Sequence, residues 1–142
     1  MKAGAIHAVI GTAVLGAVVL APPAEAAGTG AQVVAASCTA GPFRGTVSVT
    51  YQPVGTTEYH PGVATIGGGP YIGDSATFTL DVSYAGAGTT TSVYTGTFTG
   101  TAGTKLSVHL PDDVKVPQDV PSYASVAFDG GASPCTARAE IR

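Results

Sequence analysis

The sequence predicts an all-β protein, and more specifically an antiparallel β-sandwich of about seven or eight strands. Apolar and polar residues alternate with a period of two over most of the chain after residue 31, and Gly and Pro interrupt the alternation at short intervals. Thr and Val, whose branched side chains suit a pleated sheet, are abundant. Rows of Thr and Ser in the opposite phase predict that one face of each sheet meets water, which is typical of antiparallel sheets. An Ig-like Greek key is the first expectation, with a jelly roll or a partial barrel as the alternative.

The first 26 residues have the features of a secretory signal peptide. Lys2 supplies positive charge, and residues 8–21 carry no charge and are mostly apolar. The small residues Ala24 and Ala26 occupy the two positions that a signal peptidase recognises. The alternative is a membrane anchor, but the apolar run is shorter than the about 20 residues that a spanning helix needs. We therefore expect cleavage after Ala26, a flexible leader over residues 27–31 and a single domain over residues 32–142.

The alternating segments define the predicted strands in chain order. Each half of the domain supplies four strands, and the third strand along the chain is short. The predicted strands are Gln32–Cys38, Gly45–Gln52, Val63–Ile66, Ala76–Tyr84, Thr90–Thr99, Thr104–Leu110, Ser122–Asp129 and Cys135–Ile141. The turn residues Ala85–Gly88 predict that the fourth and fifth strands form a hairpin.

One phase of each strand carries the larger apolar residues, and these positions form the predicted core. Between them stand Thr, Ser and occasional charged residues that are expected to face solvent. The inward positions are Val34, Ala36, Cys38, Val47, Val49, Tyr51, Phe78, Leu80, Val82, Tyr84, Leu106, Val108, Leu110, Ala124, Val126, Phe128, Cys135, Ala137, Ala139 and Ile141.

Residues 54–75 are the exception to this regularity. Pro61 and Pro70 interrupt the stretch, and Gly67–Gly69 lacks side chains, so a long irregular loop around the short third strand is expected. Long irregular connections in compact domains are usually functional or disordered. This loop is therefore the candidate binding site, with Tyr59, His60 and Tyr71 as its candidate residues.

The two cysteines, Cys38 and Cys135, are predicted to form a disulfide. An even number of cysteines in an exported chain indicates a bridge, and two cysteines allow only one intramolecular pairing. The bridge would connect the first strand to the last. Two buried free thiols are the alternative.

The composition excludes several classes of partner. The chain has a net charge of −3 and only six Lys and Arg residues, without a basic run that could neutralise phosphates. We therefore expect neither a nucleic-acid partner nor a membrane partner after signal cleavage. The abundance of Gly and Ala, together with the absence of Asn and Trp, is typical of a GC-rich bacterial genome.

No catalytic, metal or cofactor motif stands out. A Gly-x-Ser-x-Gly elbow is absent, His109 lies on an outward strand position, and the Gly67–Gly69 run lacks the context of a phosphate-binding loop. Asp112, Asp113 and Asp119 do not have the spacing of a calcium-binding loop. The sequence thus predicts no catalytic residues, no metal site and no cofactor.

These observations predict a small secreted protein that is not an enzyme. We expect an extracellular or cell-surface module that binds an unidentified protein or polysaccharide or has a structural role. The alternative is a secreted inhibitor of an extracellular hydrolase that presents the segment around Tyr59 and His60. A hydrolase too diverged to recognise ranks last.

Overall fold

The computed structural model describes residues 30–73, 75–101, 104–130 and 133–142, in which β-structure is the only regular secondary structure. Residues 31–142 form one compact unit. The strands are β1 (Gln32–Ala40), β2 (Phe43–Val54), β3 (Glu58–Gly69), β4 (Ser75–Gly86), β5 (Thr89–Thr101), β6 (Lys105–His109), β7 (Val116–Pro117), β8 (Ser122–Asp129) and β9 (Cys135–Ile141). The predicted signal peptide and residues 27–29 of the predicted leader lie outside the described residues. The described part of the chain contains no helix that is long and apolar enough to cross a membrane.

The strands form two antiparallel sheets packed into a sandwich, which confirms the predicted fold class. The first sheet has the order β1-β2-β3-β6, with the two-residue β7 also paired to β3, and the second has the order β5-β4-β8-β9. After β3 the chain enters the second sheet to form the β4–β5 hairpin and then returns to place β6 beside β3. These crossings between the sheets give the Greek-key connectivity expected of an Ig-like sandwich.

Two tight hairpins owe their shape to residues with positive φ. Gly41 and Pro42 connect β1 to β2, and Gly41 has a φ of 63°. Ala87 and Gly88 connect β4 to β5 with φ values of 54° and 79°, the signs that a type I′ turn requires. The turn is thus shorter than the predicted Ala85–Gly88, because the strands continue through the first two of those residues.

The prediction of an irregular loop over residues 54–75 was wrong. Glu58–Gly69 is a continuous strand that pairs with β2 along one edge and with β6 and β7 along the other. Pro61 fits because the register shifts there: Tyr51 pairs with Pro61 while Thr50 pairs with Val63, so Gly62 is the extra residue of a bulge. Gly68 fits because its missing side chain leaves room for Phe43, whose Cζ would lie 3.1 Å from a Cβ at this position.

The core lies between the two sheets and is centred on three aromatic rings. Phe43, Phe78 and Phe128 are fully buried, with ring centroids 5.6 Å apart for Phe43–Phe128 and 5.3 Å for Phe78–Phe128. Most of the predicted inward positions are buried. The half-buried exceptions are Val34, Ala36, Cys38, Tyr84, Leu106 and Cys135. Ser83, predicted to face solvent, is buried where the β4–β5 register shifts.

The predicted disulfide between Cys38 and Cys135 is confirmed. Its Cα atoms are 5.9 Å apart and it closes a separation of 97 residues. Because β1 is the edge of the first sheet and β9 the edge of the second, the bridge joins the two sheets along one side of the sandwich.

Candidate binding surfaces

Tyr59 packs into the domain and is not presented to solvent by a loop. Its ring meets Tyr51 edge-on, with centroids 5.1 Å apart, and the residue pairs with Pro53 on β2 and Val116 on β7. An aromatic pair of this kind contributes about 0.5–1.5 kcal/mol beyond its buried area. The structure therefore gives Tyr59 a packing role.

His60 is held in one orientation at the edge of a shallow groove. Its Nδ1 lies 2.8 Å from the carbonyl oxygen of Val114 and donates a hydrogen bond to it. In the neutral ring this leaves the Nε2 lone pair free, 3.9 Å from a carboxylate oxygen of the fully exposed Asp112. The His60 side chain is 15% exposed, so only this edge of the ring is available to a ligand.

The groove beside His60 also contains His109, which the sequence predicted only to face outward from a strand. The groove has a volume of about 380 Å³ and is lined by His60, His109, Asp112, Tyr51 and Gln52 among others. The pairing of Val63 with His109 brings β6 alongside β3 and so places the two histidines at one site. Within the described residues, no group of three or more His, Cys, Asp or Glu side chains could hold a metal ion.

Tyr71 covers one end of the core, after the last residue of β3. Its ring lies between Phe43 and Phe78, with centroids 6.0 Å and 6.2 Å away. The hydroxyl is inaccessible to solvent and has no hydrogen-bond partner, and burial raises the pKa of Tyr71 above its usual value. The three candidate residues thus do not form one site. About 30 Å of extended strand separates His60, near the start of β3, from Gly69 at its end, and Tyr71 lies beyond Gly69.

A second surface lies on the outer face of the first sheet, at the end of β3 that is farther from His60. One register row crosses four strands there and consists of Ser37, Thr46, Gly67 and Lys105. Arg44 stands two residues from Thr46, opposite Gly69. Two adjoining hollows of about 380 and 490 Å³ share Arg44, Thr46, Gly67 and Lys105, and we call this continuous depression the trench.

The trench carries unpaired positive charge in an acidic protein. Neither Arg44 nor Lys105 forms a salt bridge within the described part of the chain, and no carboxylate is among the residues that line the trench. Its remaining lining consists of small or hydroxyl-bearing side chains and glycine backbone. The residues are Ala35, Ala36, Ser37, Thr46, Val47, Ser48, Thr65, Gly67, Gly68, Gly69, Pro70 and Thr104.

Sequence reasoning missed the trench because it searched for basic residues that are neighbours in the chain. Arg44 and Lys105 share a surface only because β3 lies between β2 and β6, and most of the β3 sequence predicts a loop. The available signal was the pair of isolated cations at outward positions of strands that otherwise carry Thr and Ser.

Comparison with known proteins adds no further constraint. The chain matches no family model, and no curated protein and no solved structure is significantly similar to it. The groove at His60 and the trench are therefore the features that bear on its function.

Proposed function

We propose that the protein is a non-catalytic binding module that acts outside the cytoplasm and holds its ligand in the trench. The observation that carries the proposal is the pair of unpartnered cations, Arg44 and Lys105, on either side of a glycine-floored depression. Charged side chains without protein partners are available to a ligand of opposite charge. The disulfide is compatible with an oxidising compartment, and the N-terminal sequence supports export.

The trench supports binding better than catalysis. Its lining contains no histidine and no carboxylate, so the groups that most often transfer protons in enzymes are missing from it. The histidine with a defined orientation, His60, lies in the other groove. In the described residues no Ser, Thr or Cys side chain is hydrogen-bonded to it, as an activated nucleophile would be.

The experiment is a co-sedimentation assay of the purified protein with insoluble envelope and polysaccharide fractions from bacterial cultures. We expect the wild type to sediment with at least one fraction and the variant R44Q/K105Q to remain in solution. The matched control is R138Q/R142Q, which changes the net charge by the same amount but alters cations outside the trench. Sedimentation of R44Q/K105Q at the wild-type level would refute the assignment to the trench, and a wild type that sediments with no fraction would refute the proposal.

Inhibition of an extracellular hydrolase remains the alternative prediction, but the segment around Tyr59 and His60 is not presented as an inhibitory loop. Tyr59 and His60, the residues expected to enter a target active site, belong to a strand that is paired on both edges. An extended inhibitory loop needs free backbone and exposed side chains, but the Tyr59 backbone is paired on both sides and the His60 side chain is only 15% exposed. Unchanged activity of secreted proteases and glycosidases at micromolar protein would remove this alternative.

A further inference from the structure

We infer that the ligand of the trench is an acidic polysaccharide whose carboxylate or sulfate groups bridge Arg44 and Lys105. The inference rests on the proposed function and names the chemical class of its ligand. It depends on three properties of the trench: the separation of its two charges, the hydroxyl groups between them and the lack of apolar anchors.

The two charges are placed for an extended ligand. Arg44 is on β2 and Lys105 on β6, with β3 between them and an offset of two residues along the strands. Strand spacing and rise give a separation of about 12 Å between the two Cα atoms. A polymer that repeats its anionic groups can contact both cations, whereas a small anion would engage them less effectively.

The missing side chain of Gly67 lets the Lys105 side chain pack against the floor of the trench. A Cβ at Gly67 would lie 3.2 Å from Cγ of Lys105 and 3.5 Å from Oγ1 of Thr46, so a side chain there would fill the trench. The Lys105 stem lies over this glycine, as its Cε is also within 3.9 Å of the same point. The absence of a side chain at Gly67 therefore lets the Lys105 stem lie close to the strand, and a side chain there would displace it.

The floor of the trench offers hydrogen-bonding groups that match sugar hydroxyls. Ser37, Ser48 and Thr65 contribute hydroxyls, which can both donate and accept. The Thr46 hydroxyl donates to the carbonyl oxygen of Gly67 at 3.2 Å, which orients its lone pairs and leaves them available. Saccharide hydroxyls also donate and accept, so each can be satisfied by such a surface.

Other polyanions fit the trench less well. An acidic peptide normally depends on aromatic or apolar anchors at the centre of its interface, and the trench contains no aromatic residue. A nucleic acid needs several clustered cations or stacking platforms, whereas the trench supplies two cations in a protein with a net charge of −3. Charge and hydroxyl content together favour a glycan.

The test is titration calorimetry of the purified protein with four soluble polymers of matched length. Polygalacturonate presents carboxylates, dextran sulfate presents sulfates, neutral dextran presents hydroxyls alone and poly-glutamate is an acidic peptide. We expect binding to at least one acidic polysaccharide, no binding to dextran, and an affinity about tenfold lower for R44Q/K105Q. The variant R138Q/R142Q should bind like the wild type, and raising the salt concentration should weaken binding.

Each result decides between the inference and its alternatives. Binding of only one acidic polysaccharide identifies the anionic group, and binding of both shows that charge spacing dominates. If poly-glutamate binds more tightly than either, or if no acidic polysaccharide binds, the inference is refuted. If the inference is refuted but the wild type still sediments with an envelope fraction and R44Q/K105Q does not, the proposed function stands and only the ligand class is wrong. Loss of both interactions refutes the proposed function as well.

Discussion

The outer faces of the two sheets contain similar residues but differ in how their charges are paired. On the first sheet the row Ser37, Thr46, Gly67 and Lys105 includes a cation without an ionic partner. The corresponding row on the second sheet, which we call the network face, consists of Thr95, Asp81, Ser125 and Arg138. There Asp81 accepts hydrogen bonds from Ser92 and from Thr95, the latter at 3.0 Å, and Arg138 lies 3.6 Å from the Tyr123 ring centroid.

The difference shows that pairing, and not composition, decides which polar face is available to a ligand. Both faces consist of Thr- and Ser-rich strands, so a sequence profile does not distinguish them. On the network face neighbouring side chains contact both charged groups: the hydroxyls of Ser92 and Thr95 donate to Asp81, and the Tyr123 ring packs against Arg138. On the trench face neither Arg44 nor Lys105 has a salt-bridge partner among the described residues, which leaves both charges to a ligand.

The largest expected effect is a loss of overall stability on removal of the disulfide that joins the two sheets. We expect C38S/C135S to lower the free energy of unfolding by about 2–4 kcal/mol, because the bridge closes a loop of 97 residues between the edge strands of opposite sheets. Urea denaturation of the variant and of the reduced wild type should give similar midpoints. A loss below about 1 kcal/mol would show that packing alone holds the two sheets together.

A pair of glycine substitutions separates packing from binding. Gly45→Ala places a Cβ 2.4 Å from Cε2 of Phe128 in the core, so we expect a loss of about 1–3 kcal/mol. Gly67→Ala meets only the flexible Lys105 stem and Thr46, so stability should change by less than about 0.5 kcal/mol while binding to the trench weakens. Denaturation and titration of both variants would check this, and unchanged binding by Gly67→Ala would show that the ligand lies elsewhere.

A substitution on the network face should have the opposite effect to Gly67→Ala: it should lower stability and leave binding unchanged. Asp81→Ala removes the acceptor of two side-chain hydrogen bonds, and we expect a loss of about 1 kcal/mol because the group is partly exposed. Binding to the trench should be unchanged, since the substitution lies on the other sheet. Thermal unfolding and titration measure the two effects, and weaker binding by Asp81→Ala would contradict the separation of the faces.

The last expected effect, an increase in stability, concerns Tyr71, which belongs to neither face. Tyr71→Phe removes a buried hydroxyl without a partner and should stabilise the protein by about 1 kcal/mol at neutral pH. Because the pKa of Tyr71 is raised in the folded state, the unfolded chain loses this proton first above about pH 10, and stability falls as the pH rises. The variant should lose less stability between pH 9 and pH 11, and a parallel decline would contradict a buried hydroxyl.

The sequence predicted the features that depend on local pattern. Alternation in Phe78, Leu80 and Val82 indicated both the strand and its inward face, and the position of the two cysteines indicated the disulfide. Of β3 only Val63–Ile66 was predicted, because Pro61 and Gly67–Gly69 on either side are normally strand breakers. They fit only through a bulge opposite β2 and through Phe43 occupying the space over Gly68. Neither compensation is visible without the partner strands.

The candidate site was less predictable for the same reason. His60 and His109 share a groove, and Arg44 and Lys105 share the trench, only through the register of β3 with its neighbours. Tyr59 and His60 lie near the start of β3 and Tyr71 follows its end, so the three residues do not form the single loop site that the sequence predicts. Residues that belong to one surface through a sheet are far apart in sequence, and the sequence gives no distance between them.

The short edge strand that carries Lys105 connects ligand binding to local motion. β6 has five residues and, among the described strands, pairs only with β3, so its detachment should require less free energy than global unfolding. A ligand that holds Lys105 and Arg44 together would be released whenever β6 separates from the sheet. Occupancy of the trench must therefore slow the exchange of the β6 amide hydrogens with solvent by the same factor by which detachment weakens binding.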